Sequence, residues 1–391
     1  MAALGIAENA AQNEVEVRAE RLVAIQNAEA QRLRPWDAKG LERQVTRPAD
    51  AVKEAPKIAY LEVDGVYAMT RQERVDDRQP APDKARGGKG RRYTLEGKEI
   101  KNAVLYRGDD CAQESDSRGC ILEKRYVSHL GNNKEFESLL WAEMRRQRFD
   151  EADFVVLLSD GAEWIRLLPE SMPCKTKVLL ILDLFHASHI WEVARALHGD
   201  KTPEARKWAD EQGLRVEAGE VDVVVEALRF LKPRGQDKRD LVDALGKYFQ
   251  NNRDRMNYPS YRARGIRVTS GTVESANYHV TGGRLKLQGM RWSPTGAAQM
   301  ARLRADLFNG RWELRTREIL AASPGSGNRA LADSSAAATR QPHGCVQIAV
   351  SADAVTSVCP RNQGDRALWR VRGRPRPAVR AMWPRAHAAA C

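Results

Sequence analysis

Two short runs of apolar residues constrain this chain most strongly, because each run ends abruptly in an aspartate. FVVLLSD spans 154 to 160 and KVLLILD spans 177 to 183. Five consecutive β-branched, leucine or aromatic residues are typical of a strand that is covered on both faces. Asp160 and Asp183 are therefore expected at the carboxyl ends of two buried strands. Asp160 with Gly161 also matches a simple turn or a helix N-cap, and only the rest of the sequence distinguishes these alternatives.

Extended and helical segments alternate around these runs in a definite order. The earlier strands are predicted at 57–69, 98–108 and 122–130, followed by a helix at 135–147. Each apolar strand is then followed by a helix. Three antiparallel strands followed by alternating helices and strands is the order of the ribonuclease H-like fold, so we expect an α/β fold with that core. In that fold the first and fourth strands are neighbours, which would bring Asp64 close to Asp160.

Composition and periodicity divide the chain into five segments. These are a helical amino-terminal segment (1–54), the first part of the α/β core (55–199), an all-helical insertion (200–267), carboxyl-terminal core helices (268–320) and a tail (321–391). Within the insertion, VDVVVEAL is ambiguous between helix and strand. The tail contains no Lys and no Glu, is rich in Ala, Arg and Pro, and has no period, so it is predicted to be disordered. Translation of a shifted reading frame in GC-rich DNA would give a similar composition, and sequencing the gene beside an intact relative would test this hypothesis.

The charge and the cysteine content indicate the kind of partner and compartment. The chain has 64 Lys and Arg against 52 Asp and Glu, a formal net charge of +12, which favours a polyanion such as nucleic acid. It contains no apolar run of about 18 residues, so no membrane span is expected. The amino terminus lacks the pattern of a secretory signal. Six cysteines without a CxxC pair suit a reducing cytoplasm, which is the expected location.

Paired carboxylates at neighbouring strand ends predict a metal site. Asp64 and Asp160 would repel each other unless a cation neutralised them, and ligation by oxygen alone suits Mg²⁺ or Mn²⁺. Two such ions activate an attacking hydroxyl and stabilise the leaving oxygen in phosphodiester chemistry. The third carboxylate is expected from Glu274 in SGTVESANYH, in the first turn of a helix with Thr272 as its N-cap and Asn277 on the same face. The simpler alternative is that Glu274 caps the helix or complements its dipole.

Basic residues follow this helix and predict contacts with DNA. In GGRLKLQGMRW they stand beside an aromatic residue, which suits phosphate contact and base stacking. A second basic stretch, GGKGRR, also fits contact with the DNA backbone, although a solvated flexible loop explains it equally well. The candidate DNA-binding residues are Arg284, Lys286, Arg291, Trp292, Arg91 and Arg92.

These segments together resemble a known family of enzymes. The matching motifs are YLEVDGVYAM, GRRYTLEGKEIKNAVLYRG, CILEKRYVSHLG, VVLLSDGAEWIR, LLILDLFHASHIW and SGTVESANYHVTGGRLKLQGMRWS. In this order they resemble the DDE transposases of bacterial insertion sequences of the ISKra type, distant relatives of the Mutator-like transposases, over about residues 55 to 320. The resemblance implies that Asp64, Asp160 and Glu274 form the catalytic triad. It also implies that the helical segment near 200–265 is the insertion that such enzymes carry.

The family also places an Asp or Cys three residues before a His after the second catalytic Asp. Here these residues are Asp183 and His186. The resemblance implies a catalytic role for His186, which could hydrogen-bond the scissile phosphate or orient a carboxylate. A buried, structurally satisfied His is the alternative, and a zinc site with His189 is a poor fit because the spacing is short and no cysteine pair accompanies it. Asp183 is the second choice for the second metal ligand.

The resemblance implies DNA cleavage and strand transfer on the terminal inverted repeats of an element and on target DNA. It also implies a homo-oligomer assembled on paired DNA ends. Two features depart from the family: only about 50 residues precede strand one, where relatives carry a longer DNA-binding region, and the tail does not match. An inactive DNA-binding relic and a structure-selective nuclease of the same fold are the alternatives. Inverted repeats around the gene would distinguish the nuclease from the transposase.

Overall fold

A computed structural model gives the fold and describes the chain in seven ranges. These are 8–34, 46–48, 50–73, 93–115, 118–172, 177–184 and 189–322. The chain divides into two units, Met1–Ser323 and Pro324–Cys391, and every described residue belongs to the first. The predicted tail therefore lies outside the described residues, apart from positions 321 and 322.

The described strands form one five-stranded sheet and one small hairpin. They are β1 (Ile58–Glu73), β2 (Tyr93–Arg107), β3 (Cys111–Ser115), β4 (Arg118–Ile121), β5 (Arg125–Leu130), β6 (Phe154–Ser159) and β7 (Lys177–Leu182). The main sheet has the order β5-β2-β1-β6-β7, and β3 pairs with β4 alone. β1 is antiparallel to β2, and β2 is antiparallel to β5. β6 is parallel to both β1 and β7, so the sheet is mixed and β1 lies at its centre.

Helices make up most of the remaining described chain. They are α1 (Glu8–Arg32), α2 (Asn133–Arg146), α3 (Glu163–Arg166), α4 (His189–His198), α5 (Pro203–Glu217), α6 (Val221–Phe230), α7 (Gln236–Asn252), α8 (Tyr258–Ala263), α9 (Gly271–Ala276), α10 (Gly283–Leu285), α11 (Pro294–Phe308) and α12 (Trp312–Ala321). A π-helical segment, Asn277–Gly282, connects α9 to α10. Among the described helices, none combines the length and the apolar character needed to cross a bilayer.

Both faces of the main sheet are covered, and alternate residues of each strand serve opposite faces. Val156 and Leu158 of β6 pack in the core formed with α4 to α9. Val155 and Leu157 pack in the opposite core, formed with α2 and α3. All four side chains are fully buried. This double coverage explains why the sequence of β6 is apolar throughout instead of alternating with polar residues.

The predicted strands of the main sheet and their order along the chain are confirmed, as is the α/β class. The hairpin of β3 and β4 was not predicted, because DDCAQES and SRGCI contain few of the apolar residues that mark a strand. The ambiguous VDVVVEAL is helical and lies in α6. Its buried residues recur at helical spacing, and they are Val221, Val224, Val225 and Leu228.

Buried charges hold the amino-terminal helix α1 to α2 and α12. Glu29 of α1 accepts hydrogen bonds from Arg146 of α2 and from Arg315 of α12, the latter at 2.7 Å. In the same cluster Arg311 pairs with Glu143 at 2.7 Å. Burial alone would raise the pKa of Glu143, but Arg311 and Arg146 outweigh it and lower this pKa to about 2. The charges therefore remain ionised and compensated inside the protein.

Candidate active site

Three aspartates lie side by side at the point where the parallel pairing of β1, β6 and β7 ends. The last paired row across β1, β6 and β7 consists of Val63, Ser159 and Leu182. Asp64, Asp160 and Asp183 are the next residues in each segment, and the Asp183 N–H donates to the Ser159 oxygen at 2.8 Å. The predicted adjacency of the first strand and the fourth strand of the main sheet is therefore confirmed. Three carboxyl groups are brought to one level of the sheet.

Asp160 is half-buried and is fixed by the turn that follows β6. Its Oδ1 accepts a hydrogen bond of 2.9 Å from the N–H of Ala162, and its backbone oxygen accepts one of 2.8 Å from the hydroxyl of Tyr248 in α7. The turn proposed as the simpler explanation is thus present, with Gly161 at φ +90°. Oδ2 of Asp160 accepts no hydrogen bond from the described residues. One carboxylate oxygen of Asp160 therefore remains available to a ligand.

Beneath Asp64, the same face of β1 carries a second carboxylate, Glu62, which is fully buried. Its Oε1 accepts from the Tyr106 hydroxyl at 2.7 Å, and its Oε2 accepts from the N–H of Val273 in α9 at 2.8 Å. Burial raises the pKa of Glu62, and these hydrogen bonds together with Arg267 only partly oppose that effect. Glu62 therefore ties the start of α9 to the centre of the sheet.

The helix α9 presents Glu274 on a stripe that is anchored at both ends. Ser270, just before α9, donates from Oγ to Oδ2 of Asp183 at 2.5 Å. Asn277, just after α9, donates from Nδ2 to Oδ2 of Asp64 at 2.5 Å. Positions 270, 274 and 277 are four and three residues apart, so they share one face of the helix. Glu274 therefore lies between the two anchors, on the side of α9 that faces the strand ends.

Glu274 is exposed, and it forms no ion pair or side-chain hydrogen bond with the described residues. The predicted N-cap was wrong: Ser270 occupies the cap position, and Thr272 is a buried residue of the first turn. Glu274 consequently does not cap α9, although its place in the first turn still suits the helix dipole. Its exposure leaves the carboxylate free to rotate toward the strand ends.

The helix widens into the π-helical segment three residues after Glu274. Asn277, the first residue of this segment, accepts from Asn102 Nδ2 at 2.6 Å through its Oδ1. Thr281, also in the segment, accepts from the same Nδ2 at 2.9 Å. Asn102 lies opposite Asp64 in β2. Short π-helical segments occur frequently at functional sites, and this one fixes the donor that holds Asp64.

Asp183 differs from the other two aspartates because it is fully buried, whereas Asp64 and Asp160 are half-buried. Its hydrogen bond to Ser270 gives it a role in anchoring α9. Its burial makes it a less accessible ligand than Asp64 or Asp160. His186, the other member of the predicted pair, lies outside the described residues, so its role stays a prediction.

The carboxylates match the oxygen ligands of a hard divalent cation in type, but their side chains do not form a closed ligand set. Within the described ranges, no group of three or more His, Cys, Asp or Glu side chains is arranged to hold a metal ion. Asp64 and Asp160 are adjacent through the strand pairing, and Glu274 shares their side of the molecule. A closed set would require the exposed Glu274 side chain to change its rotamer.

The predicted DNA-binding residues that the structure describes follow the π-helical segment. Lys286 and Arg291 are exposed, and the Arg284 guanidinium lies over the Trp292 ring at 5.1 Å. Trp292 is half-buried in a small apolar cluster, and its backbone oxygen accepts from the N–H of Arg71 in β1 at 2.8 Å. Arg284 therefore covers one face of the Trp292 ring, and a DNA base would have to displace it to stack on that face. Arg91 and Arg92 lie outside the described residues.

Sequence reasoning missed two polar residues that support the site. Asn102 and Glu62 are buried among apolar neighbours in β2 and β1. Glu62 had a usable signal, because a carboxylate two residues before Asp64 on the same face of a central strand requires a buried partner. Asn102 had no such signal, since its importance depends on the pairing of β2 with β1.

Comparison with known proteins does not assign the chain. No family model, no curated protein and no solved structure matches it.

Proposed function

We propose that this chain is a DNA transposase of the DDE type, with a ribonuclease H-like core and divalent-metal-dependent chemistry. The observation that carries the proposal is the placement of Asp64 and Asp160 at adjacent strand positions beneath the helix that presents Glu274. The motifs that resemble ISKra-type transposases contribute these same three residues. The proposed reactions are cleavage at the ends of an element and transfer of the freed DNA strand to a target.

The strand order supports the proposed fold. Within the main sheet, β1 is first along the chain and β6 is fourth, and the two are parallel neighbours. The ribonuclease H-like fold requires this adjacency of the first and fourth strands. The all-helical stretch from α5 to α8 lies between β7 and the helix with Glu274, where the proposed family carries its insertion.

The donor set supports Mg²⁺ or Mn²⁺ as the cofactor, held by Asp64, Asp160 and Glu274. Carboxylate oxygens are the ligands that these ions prefer, and Oδ2 of Asp160 and the Glu274 carboxylate accept nothing from the described residues. Two bound ions would supply activation of an attacking hydroxyl and stabilisation of a leaving oxygen. Completion of the site would require the exposed Glu274 side chain to turn toward the aspartates when DNA binds.

The remaining residues of the site would position these carboxylates. Asn277 holds one oxygen of Asp64, and the Tyr248 hydroxyl holds the backbone of Asp160. Burial and the charge of Asp160 raise the pKa of Tyr248, so its hydroxyl stays protonated and continues to donate. Glu62 fixes α9, and therefore Glu274, to the sheet.

Exposed basic side chains near the site support DNA as the substrate. Lys286 and Arg291 lie beyond the π-helical segment, and the full sequence has a formal net charge of +12. Exposed Lys and Arg side chains neutralise backbone phosphates and make DNA affinity depend steeply on salt. Joining two element ends would require at least a dimer on DNA.

A DNA-binding relic without catalysis is the second candidate. It is favoured by one observation, the lack of three closely placed ligands among the described residues. The relic and the transposase share the same core and the same basic surface. Only an activity measurement separates them.

The test is Mn²⁺-dependent nicking of a supercoiled plasmid that carries the DNA ends flanking the gene. Wild type should nick the plasmid, whereas Asp160→Asn and Glu274→Gln should give only background. Glu163→Gln is the matched control, because Glu163 also lies just after β6 but is exposed and paired with Arg166. Equal nicking by wild type and Asp160→Asn would reject Asp160 as a ligand. Absence of nicking by folded wild type that still binds DNA would favour the relic.

A further inference from the structure

Among the residues that the structure describes, one buried arginine, Arg255, has no carboxylate partner. Arg255 follows α7 and is only 7% exposed. Among the described residues, its guanidinium finds no hydrogen-bond acceptor and no carboxylate within ion-pair distance. Nη1 is completely shielded from solvent and unsatisfied. A buried guanidinium without a counter-charge is unfavourable, and an anionic ligand would supply the missing partner.

The charged and polar groups around Arg255 show which part of the fold surrounds it. The charged or polar groups that act on Arg255 most strongly include Arg166 and Glu163 of α3 and Tyr248 of α7. Tyr248 donates to the backbone oxygen of Asp160 at 2.8 Å. Arg255 therefore lies within electrostatic range of α3, the helix that follows Asp160 along the chain.

A second unsatisfied group lies on the same stretch of chain. Asn252, the last residue of α7, is buried, and its Oδ1 has no hydrogen-bond partner. A Cβ added at Gly161 would lie 3.1 Å from this oxygen, so Asn252 is in contact with the turn after Asp160. Two buried polar groups that are both unsatisfied beside one turn indicate that something polar binds there.

Two acids act on Arg255, Glu163 and Asp254, but neither lies within ion-pair distance of its guanidinium. Glu163 is engaged by Arg166 at 2.5 Å, and that guanidinium in turn repels Arg255. Burial, followed by the charge of Arg166, lowers the pKa of Arg255. An arginine nevertheless remains protonated at neutral pH, and no carboxylate of the described ranges forms an ion pair with it.

We propose that Arg255 binds a phosphate of the DNA backbone next to the scissile position, through the planar guanidinium. This inference rests on the proposed function, because the site at Asp160 defines which phosphate is meant. A guanidinium donates two parallel hydrogen bonds to a phosphate, which fixes its orientation as well as its position. Arg255 would thereby hold the DNA strand in register with the carboxylates.

The first experiment tests the anion site without DNA or catalysis. Thermal unfolding is measured at increasing inorganic phosphate, at constant ionic strength set with chloride, for wild type, Arg255→Gln and Arg253→Gln. Arg253 is the matched control, because it lies two residues away and is exposed in an ion pair with Asp222. Phosphate should raise the midpoint of wild type and Arg253→Gln, and should leave Arg255→Gln unchanged. Equal stabilisation of all three proteins, or of none, would overturn the proposal.

The second experiment identifies the phosphate as that of DNA. Binding of a labelled duplex is measured in EDTA at several salt concentrations, so that no cleavage is required. Arg255→Gln should lower the slope of log affinity against log salt by about 0.9, as expected for one lost phosphate contact. Arg253→Gln should keep the wild-type slope. An unchanged slope in Arg255→Gln, together with the phosphate effect, would show a free-anion site and overturn the DNA assignment.

The two experiments also separate this inference from the proposed function. Suppose that wild type and Arg255→Gln nick the plasmid equally and that phosphate does not raise the unfolding midpoint of wild type. The transposase proposal would then stand, and the proposed role of Arg255 would be rejected. Phosphate binding through Arg255 in a protein that never nicks DNA would support the site and reject the catalytic function.

Discussion

Gly161 determines how the chain leaves β6 and therefore how Asp160 is presented. Its φ is +90°, in the region that residues with a side chain rarely adopt. A Cβ at this position would lie 2.9 Å from Leu182 Cδ1 and 3.1 Å from Asn252 Oδ1. Both the backbone and the packing consequently require glycine.

We predict that Gly161→Ala lowers the free energy of unfolding by about 2–4 kcal/mol, from backbone strain and a steric clash together. Gly235→Ala is the control, because Gly235 has φ +95° but nothing within 4 Å of an added Cβ. It should lose only the strain contribution, about 1–2 kcal/mol. Urea unfolding followed by circular dichroism measures both values. Equal losses in the two variants would show that contact with Leu182 and Asn252 does not matter.

Among individual residues, some members of the site could be predicted from the sequence and others could not. Asp64 and Asp160 were recognisable because each interrupts or ends an apolar strand. Glu274 was recognisable from its place after the insertion and from the family motif. Arg255 was not recognisable, because one arginine in the charged stretch NNRDRM resembles its neighbours until burial separates it from Arg253.

At the scale of elements, α9 and the π-helical segment form one unit that bridges the strand ends. Asn277 lies at their junction, where its amide contacts Asp64 and Asn102. The sequence predicted a helix here, but not its widening, since π-helical geometry has no clear sequence signal. The cap was misplaced by two residues because both Ser270 and Thr272 are good N-cap residues.

We predict that Asn277→Ala increases amide hydrogen exchange in 277–282, because two side-chain hydrogen bonds are lost. At about 1 kcal/mol for each bond, exchange should become roughly tenfold to thirtyfold faster. Tyr278→Ala is the control, because Tyr278 is the next residue and its side chain is 63% exposed. Exchange measured by mass spectrometry should separate the two variants. The same rate in both would mean that the contact with Asp64 does not stabilise the segment.

At the scale of the whole molecule, charged contacts connect elements that are distant in sequence. Arg302 of α11 donates to Asn27 of α1 at 2.7 Å and to Nδ1 of His129 in β5 at 3.2 Å. Such contacts could not be predicted from the sequence, since charge spacing within α1 or α11 shows only contacts along one helix. The order of strands was predictable because each strand carries its own apolar pattern.

His129 is the titratable group at this junction between α1, α11 and β5. Its Nε2 lies 2.9 Å from Glu135 Oε2, while its Nδ1 accepts from Arg302, so the neutral ring with a proton on Nε2 satisfies both neighbours. Burial, followed by the charge of Arg302, lowers the pKa of His129 to about 4, despite the opposing charge of Glu135. The unfolded chain, with an ordinary histidine pKa near 6.5, therefore binds the proton more readily than the folded protein.

We predict that the contribution of His129 to stability is complete above about pH 6.5 and is lost progressively as the pH falls toward 4, by about 3 kcal/mol in total. Comparison of urea unfolding at pH 7 and pH 5 should show about 2 kcal/mol of this loss in wild type. His129→Gln should lack the loss, because glutamine keeps a donor and an acceptor but does not titrate. His198→Gln, which removes an exposed imidazole, should retain it. If the free energy of unfolding of His129→Gln depended on pH as strongly as that of wild type, groups other than His129 would cause the acid sensitivity. In that case the junction between α1, α11 and the sheet would not depend on the charge state of His129.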